Sequence, residues 1–293
     1  MTNEPVTLED WQQRGRAVST QNGDVFVVEE PGTGTGEPVL VLHGFPTSSH
    51  DWSPVLPALA EAGPVVLVDL PGYGLSAKPD RAYSLFDQAD TVEAVARELG
   101  LGSVTLVTHD MGDSVGGELL ARSLDGNLSF DVSRRMLTNG SIYLGLAQLT
   151  DGQKLLESLP DEMLPEGAGP PVDGLVASLR ATLAPDAAVS DHDLRTAAEL
   201  IVLNGGNRLL PRLIRYLSER RVHEERWTGA IERHPAPLTV VWGDIDPIAV
   251  WPMAERLHAA RPDATVVRLE AIGHYPMMEA PEAFAGAVTS AFA

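Results

Sequence analysis

The sequence predicts an α/β fold, a mostly parallel central sheet flanked by helices, with an all-helical segment set into it. Three observations carry this expectation. Short continuous apolar runs alternate with helical periodicities, as in consecutive βα units. Several of these runs end in clusters of His, Asp and Gly, and parallel sheets gather their chemistry at the carboxyl ends of strands. From about Leu144 to His234 the strands stop and only helical segments follow one another.

Taken in order, Leu8 to Arg14 reads as a short helix. A hairpin edge follows around Gln21-Asn22-Gly23-Asp24, with Val25 to Val28 as strand. Pro31-Gly32-Thr33-Gly34-Thr35-Gly36 is a flexible loop, too irregular to cradle a phosphate. Pro38 to Leu42 is a buried strand leading to His43-Gly44-Phe45-Pro46, and Trp52 to Ala60 is helical. Pro64 to Val68 is the next strand, ending in Asp69-Leu70-Pro71-Gly72-Tyr73-Gly74-Leu75-Ser76. Ser84 has the place of an N-cap, with Leu85, Val92, Val95 and Leu99 on one helical face and Gly100 as the stop.

Val104 to Thr108 is a β-branched strand, and Met111 onward is helical, with Val115, Leu119 and Leu120 at helical spacing. No loop fits between them. A strand that turns directly into a helix holds its central residue on strained backbone, above the sheet edge and at a helix N-terminus. That residue is Asp110. As a purely structural group it would cap the helix. Gly112-Asp113-Ser114-Val115-Gly116 also matches the serine-nucleophile pattern G-x-S-x-G. Placing Ser114 on the turn, however, would put Thr108, His109 and Asp110 inside a buried parallel strand.

Arg135 to Thr138 is a further strand candidate, ending at Asn139-Gly140. The helical segment carries helices near Gln153 to Leu159, Leu175 to Leu183, Asp191 to Leu203 and Leu209 to Arg220, and reads as a lid over the strand ends. Pro237 to Trp242 resumes the βα pattern and ends in Gly243-Asp244-Ile245-Asp246-Pro247. Thr265 to Leu269 leads into Gly273-His274-Tyr275-Pro276. The expected domains are a core of residues 1–143 and 235–293 and a helical cap of residues 144–234.

At 293 residues the chain can bury a large core. Its net charge of −20 argues against binding nucleic acid or anionic membranes. With no cysteine it has no disulfide framework, thiol nucleophile or thiolate metal site. The start, Met1 to Trp11, has no basic segment followed by an apolar one, and no run approaches membrane-spanning length. The expectation is a soluble cytoplasmic protein, monomer or homodimer.

Strand ends thus present Asp110, then Asp246 or Asp244, then His274. This order of nucleophile, acid and histidine is that of the α/β-hydrolase fold. The chain resembles the aspartate-nucleophile branch of that superfamily, which includes epoxide hydrolases and haloalkane dehalogenases. The resemblance rests on H-G-F-P at 43–46, G-Y-G-L-S at 72–76, H-D-M-G at 109–112, W-G-D-I-D-P at 242–247 and G-H-Y-P at 273–276. H-G-F-P-T-S-S-H-D-W, L-N-G-G-N and R-Y-L-S-E-R-R also resemble the mesoderm-specific transcript group. The family pattern implies Asp246 as the triad acid and leaves Asp244 as a turn residue.

A carboxylate attacking an activated sp³ carbon gives an ester, splitting one hard step into two. His274, oriented by Asp246, would then activate water, and the backbone N–H groups of Phe45 and Met111 would hold the oxyanion. His43 and His109 are read as shaping the oxyanion turn and the elbow. Haloalkane dehalogenases carry side-chain N–H donors where this chain has Met111 and Phe45, which have none. Fluoroacetate dehalogenases carry Arg at the Met111 position. Epoxide hydrolases supply a proton from lid tyrosines, for which Tyr216 is the first candidate and Tyr143 the second. The activity the resemblance implies is therefore opening of a small apolar epoxide by water to a vicinal diol, without cofactor or metal. The alternatives are a dehalogenase, with a lid residue such as Trp227 helping to hold halide, an ester or lactone hydrolase using Ser114, and a non-catalytic binding protein.

Overall fold

The computed structural model describes residues 6–292. In chain order it contains α1 (Leu8–Arg14), β1 (Gly15–Thr20), β2 (Gly23–Glu30), β3 (Val39–Leu42), a 3-10 turn (Ser49–Trp52), α2 (Leu56–Ala62), β4 (Val65–Val68), α3 (Leu85–Glu98), β5 (Ser103–His109), α4 (Met111–Leu124) and β6 (Asp131–Thr138). Then come α5 (Asp151–Ser158), α6 (Val172–Arg180), α7 (Asp191–Val202), a 3-10 turn (Leu203–Gly205), α8 (Gly206–Leu213), α9 (Tyr216–Arg233), β7 (Leu238–Gly243), α10 (Pro252–Ala260), β8 (Thr265–Leu269), α11 (Pro276–Glu279) and α12 (Pro281–Phe292).

The strands form one eight-stranded sheet in the order β1-β2-β4-β3-β5-β6-β7-β8. The hairpin strand β2 pairs antiparallel with β1 and β4, and the remaining pairs are parallel. This is the architecture of the α/β-hydrolase fold. β3 and β4 are buried along their whole length, as expected of strands covered by helices on both faces. Because β3, β5, β6, β7 and β8 are consecutive neighbours and parallel, the loops leaving their carboxyl ends emerge side by side. The site is assembled from those loops.

Local rules place most boundaries. Thr7 starts α1 with a capping box to Asp10. The Ser84 side chain accepts from the Phe86 N–H at the start of α3, and Gly100 follows that helix at φ 66.

Two expectations need correction. β6 begins at Asp131, before the expected Arg135, because tertiary partners satisfy the charge that breaks the apolar run. The buried Arg135 guanidinium donates to the carbonyls of Ile231, His234 and Ala236. The single helix expected over Leu209 to Arg220 is two. α8 closes at Leu213 with i→i−3 bonds at Arg215 and Leu217, and α9 restarts at Tyr216 and runs on to Arg233. No strand lies between β6 and β7, a stretch made of α5 to α9 and turns.

Candidate active site

β5 passes into α4 through Asp110 alone, at φ 49 and ψ −115. A residue with a Cβ held there stores about 1–3 kcal/mol of strain and persists only where its surroundings dictate it. The Asp113 N–H donates to the Asp110 carbonyl at 3.1 Å, and close neighbours pin the turn on both sides. A Cβ on Gly44 would lie 2.5 Å from the Asp110 Cβ, and one on Gly112 would lie 2.6 Å from the His43 carbonyl oxygen. Glycine is required at both positions because backbone must approach this closely.

The Phe45 N–H donates to Asp110 Oδ2 at 2.8 Å. The other oxygen, Oδ1, faces His274 Nε2 at 4.0 Å. Met111 opens α4, and N–H groups in a helix's first turn lack partners within the helix. Elbow carboxylate, Phe45 N–H and α4 N-terminus therefore meet at one point. His274 Nδ1 donates to Asp246 Oδ2 at 2.7 Å. Asp246 is fixed by the N–H groups of Ile248 and Ala249 on Oδ1 and by Asn139 Nδ2 at 2.8 Å on Oδ2. Asp244 instead takes hydrogen bonds from Arg268 and the Ala271 N–H, so of the two acids only Asp246 pairs with His274.

Burial alone would depress His274, but Asp246, and after it Asp110, outweigh that and hold its pKa up at about 9. At neutral pH it is therefore an imidazolium between two carboxylates. His109 is the opposite case. Burial and the nearby His274 push it down to about 4, and its neutral ring donates from Nε2 to the His274 carbonyl at 2.8 Å. His43 accepts from the Leu70 N–H at Nε2, which leaves Nδ1–H to donate to the Gly44 carbonyl. Both histidines brace backbone, His43 at the turn before Phe45 and His109 at the His274 loop, whereas the sequence pointed His109 to the elbow.

Tyr216 is the first residue of α9. Its ring lies 5.6 Å from that of Phe45, and its phenol is raised by burial and then by the Asp110 charge. The structure thus brings Asp110, Asp246, His274, Phe45, Met111 and Tyr216 together. It does not bring Tyr143 or Trp227 into that role. The Tyr143 hydroxyl donates to Glu232 at 2.8 Å, and its ring face carries Arg256. The Trp227 indole N–H donates to buried Glu118 at 2.8 Å, tying α9 to α4. Ser114 lies one turn along α4 from Asp110, and its hydroxyl accepts from Arg220 Nε at 2.8 Å. A groove of about 410 Å³ between α4 and α9, lined by Leu124, Val222 and Arg226 among others, contains none of the triad.

The sequence marks Asn139 only as a strand end, yet it joins β6 to the acid. Its Oδ1 accepts from the Gly243 N–H while its Nδ2 holds Asp246. The available signal was its place at the carboxyl end of a strand, the position that singled out the others. Tyr73 was passed over within the G-Y-G-L-S stretch although its hydroxyl donates to Met111 Sδ at 3.1 Å. Among the described residues no group of His, Cys, Asp and Glu is arranged to hold a metal ion, and no helix is long and apolar enough to cross a membrane.

Comparison with known proteins agrees with the fold. The model of a family described as "Alpha/beta hydrolase family" matches residues 39–287. The LipZ protein of Mycobacterium tuberculosis is 40% identical over 289 residues, 97% of each chain. The mesoderm-specific transcript homolog protein of Bos taurus is 33% identical over 292 residues, 96% of this chain and 86% of that one. A haloalkane dehalogenase of Bradyrhizobium diazoefficiens is 38% identical over 103 residues, 35% of this chain and 33% of that one.

Proposed function

The chain belongs to the α/β-hydrolase family, and we propose that within it the protein opens a small apolar epoxide to a vicinal diol through an ester formed on Asp110. The observation that carries this reading is the carboxylate at the elbow. One oxygen is anchored on the Phe45 N–H and the other faces His274, where a serine hydrolase would present a hydroxyl.

Asp110 Oδ1 attacks an epoxide carbon, the C–O bond breaks, and the departing oxygen takes a proton from Tyr216. The ester carbonyl, former Oδ2, stays on the Phe45 N–H, with the Met111 N–H at the start of α4 as the second donor. Once Asp110 is esterified, His274 loses its resting proton to solvent, and the neutral imidazole takes a proton from the water that adds to the Asp110 carbonyl carbon. Collapse of that intermediate releases the diol and regenerates the carboxylate, and the remaining proton restores the phenol. The oxyanion donors are in place before charge develops, so they stabilise it without reorganising. Residues 144–234 form the cap that carries Tyr216 over the strand ends. Asp110, His274 and Tyr216 are all buried, so substrate enters when cap helices part.

The second reading is dehalogenation by the same Asp110, favoured by the partial likeness to a haloalkane dehalogenase. Halide asks for free N–H donors near the carbon attacked, and the Trp227 indole is spent on Glu118. A phenol, which Tyr216 offers, suits a departing alkoxide better. Ser114 lacks a base, since its partner is a guanidinium.

The test is the intact mass of a His274→Ala variant after incubation with a panel of epoxides and bromoalkanes. Loss of the water-activating base strands the ester, so the expected result is an adduct on Asp110 with the mass of an intact epoxide. An alkyl adduct lacking bromine, with none from epoxides, would move the assignment to dehalogenation. An unmodified Asp110 beside a wild type that still cleaves esters would overturn both.

A further inference from the structure

Tyr73 sits in the turn after β4, between Gly72 at φ 94 and Gly74 at φ 48. Its ring packs edge-on against His43 at 5.1 Å, and the residue is 2% exposed. That environment fixes the phenol in one place. Among the described residues its hydroxyl makes one hydrogen bond, to Met111 Sδ at 3.1 Å. Met111 is the residue after Asp110 and opens the elbow helix. A buried hydroxyl that reaches the side chain of the residue after Asp110 is thus held by a thioether, among the weakest acceptors a protein has.

Burial, followed by Tyr216 and the Asp110 charge, raises the Tyr73 phenol well above its ordinary value. It stays protonated across the working pH range. Tyr216 and Asp110 both act on it electrostatically, and its turn packs against the end of α8 just before Tyr216, where a Cβ on Gly72 would lie 2.6 Å from Leu213 Cδ2.

We propose that Tyr73 is a further catalytic residue, whose hydroxyl leaves the Met111 sulfur to donate a hydrogen bond to the departing epoxide oxygen beside Tyr216. This rests on the epoxide reading above. The carbon–oxygen bond breaks as the Asp110 ester bond forms, Tyr216 gives the proton, and Tyr73 keeps its own. The exchange favours the transition state. A weak O–H···S contact is released and a charge-assisted O–H···O bond forms only as negative charge builds on the leaving oxygen. It also accounts for a side chain at position 111 without an N–H, because the donor comes instead from the neighbouring turn.

The experiment uses the His274→Ala background, in which ester accumulates on Asp110, and measures its rate of formation by rapid mixing and mass spectrometry. Two probes are compared, 1,2-epoxypropane and 1,1,1-trifluoro-2,3-epoxypropane, whose trifluoromethyl group stabilises the alkoxide by itself. Adding Tyr73→Phe should slow the first by about 10- to 100-fold, since one donor to a developing oxyanion is removed while another remains. The second should slow by a clearly smaller factor, which a loss of packing alone would not produce. Thermal unfolding of both variants checks that the near-isosteric change leaves the fold intact. Equal slowing of the two probes, or a change under about twofold in either, overturns the proposal while leaving the ester reading standing. If His274→Ala with Tyr73 intact accumulates no ester, the ester reading fails and this proposal falls with it.

Discussion

On the proposed ester mechanism His274 holds its proton in the resting enzyme and gives it up once Asp110 is esterified, and replacing Asp110 by Asn tests that switch directly. The resting pKa of about 9 is raised by Asp246 and Asp110 against the pull of burial. An amide, like the ester, has the shape of the carboxylate without its charge. The charge lost lies 4.0 Å from Nε2. At an effective dielectric of about 20 it contributes about 4 kcal/mol, or about 3 pH units. Asp246 remains, so the imidazole of Asp110→Asn should titrate between about 6 and 7. A histidine titrating there is a competent base at neutral pH. The same fall on esterification would convert His274 from counter-ion of the nucleophile to activator of water. The assay is an NMR pH titration of the His274 ring in wild type and variant. A fall of less than about one pH unit would mean that Asp110 does not control the histidine, and the coupling between the two chemical steps would have to be abandoned.

Glu118 is buried and accepts from Arg122 Nε, Arg226 Nε and Trp227 Nε1, so Glu118→Ala should cost about 2–4 kcal/mol in urea unfolding. Unchanged stability with impaired turnover would instead return Trp227 to the substrate site. Asp51 is raised to about 8 by burial, with Thr47 donating to it. The folded state therefore keeps a proton that the unfolded chain releases near 4, so stability falls as pH rises from about 4 to 8, by at most about 1.4 kcal/mol per pH unit. Asp51→Asn removes that dependence, and its melting temperature relative to wild type should climb over the same window. A constant difference would refute the assignment of the proton to Asp51.

What could be read in the sequence was what is local. Val104 to Thr108 followed at once by a helix forces a turn at Asp110, whatever the rest of the chain does, and the observed φ of 49 is the consequence. Strand-end positions pointed to His274 and to Asp246 or Asp244 for the same reason, and only the family resemblance chose between the two acids. The two residues that the structure withdraws from the site are aromatic donors whose availability depends on distant partners. Trp227 spends its N–H on Glu118, 109 residues earlier, and Tyr143 its hydroxyl on Glu232, 89 residues later. No periodicity encodes such pairings. The break at Ile214–Arg215 was hidden likewise, because α9 is charged around much of its surface. Glu219 accepts from Ser84 and the Leu85 N–H, and Arg220 donates to Ser114 and the Ser141 carbonyl.

Those clamps bear on the chemistry, not only on the fold. α9 is bonded to α4 through Glu118 with Trp227 and through Ser114 with Arg220, and the elbow carboxylate and Tyr216 stand at the N-terminal ends of these two helices. Securing the helices along their length fixes the Tyr216 end of α9 relative to the Asp110 end of α4, as the proposed proton transfer requires. Arg220 adds to this, since its guanidinium lies 5.1 Å from the Tyr216 ring centre and opposes the upward push of burial on that phenol. A halide would gain little from such a device, because it needs hydrogen bonds but no proton. An alkoxide needs the proton itself. A buried guanidinium against the phenol eases the proton's departure, and that favours an oxygen leaving group over a halide.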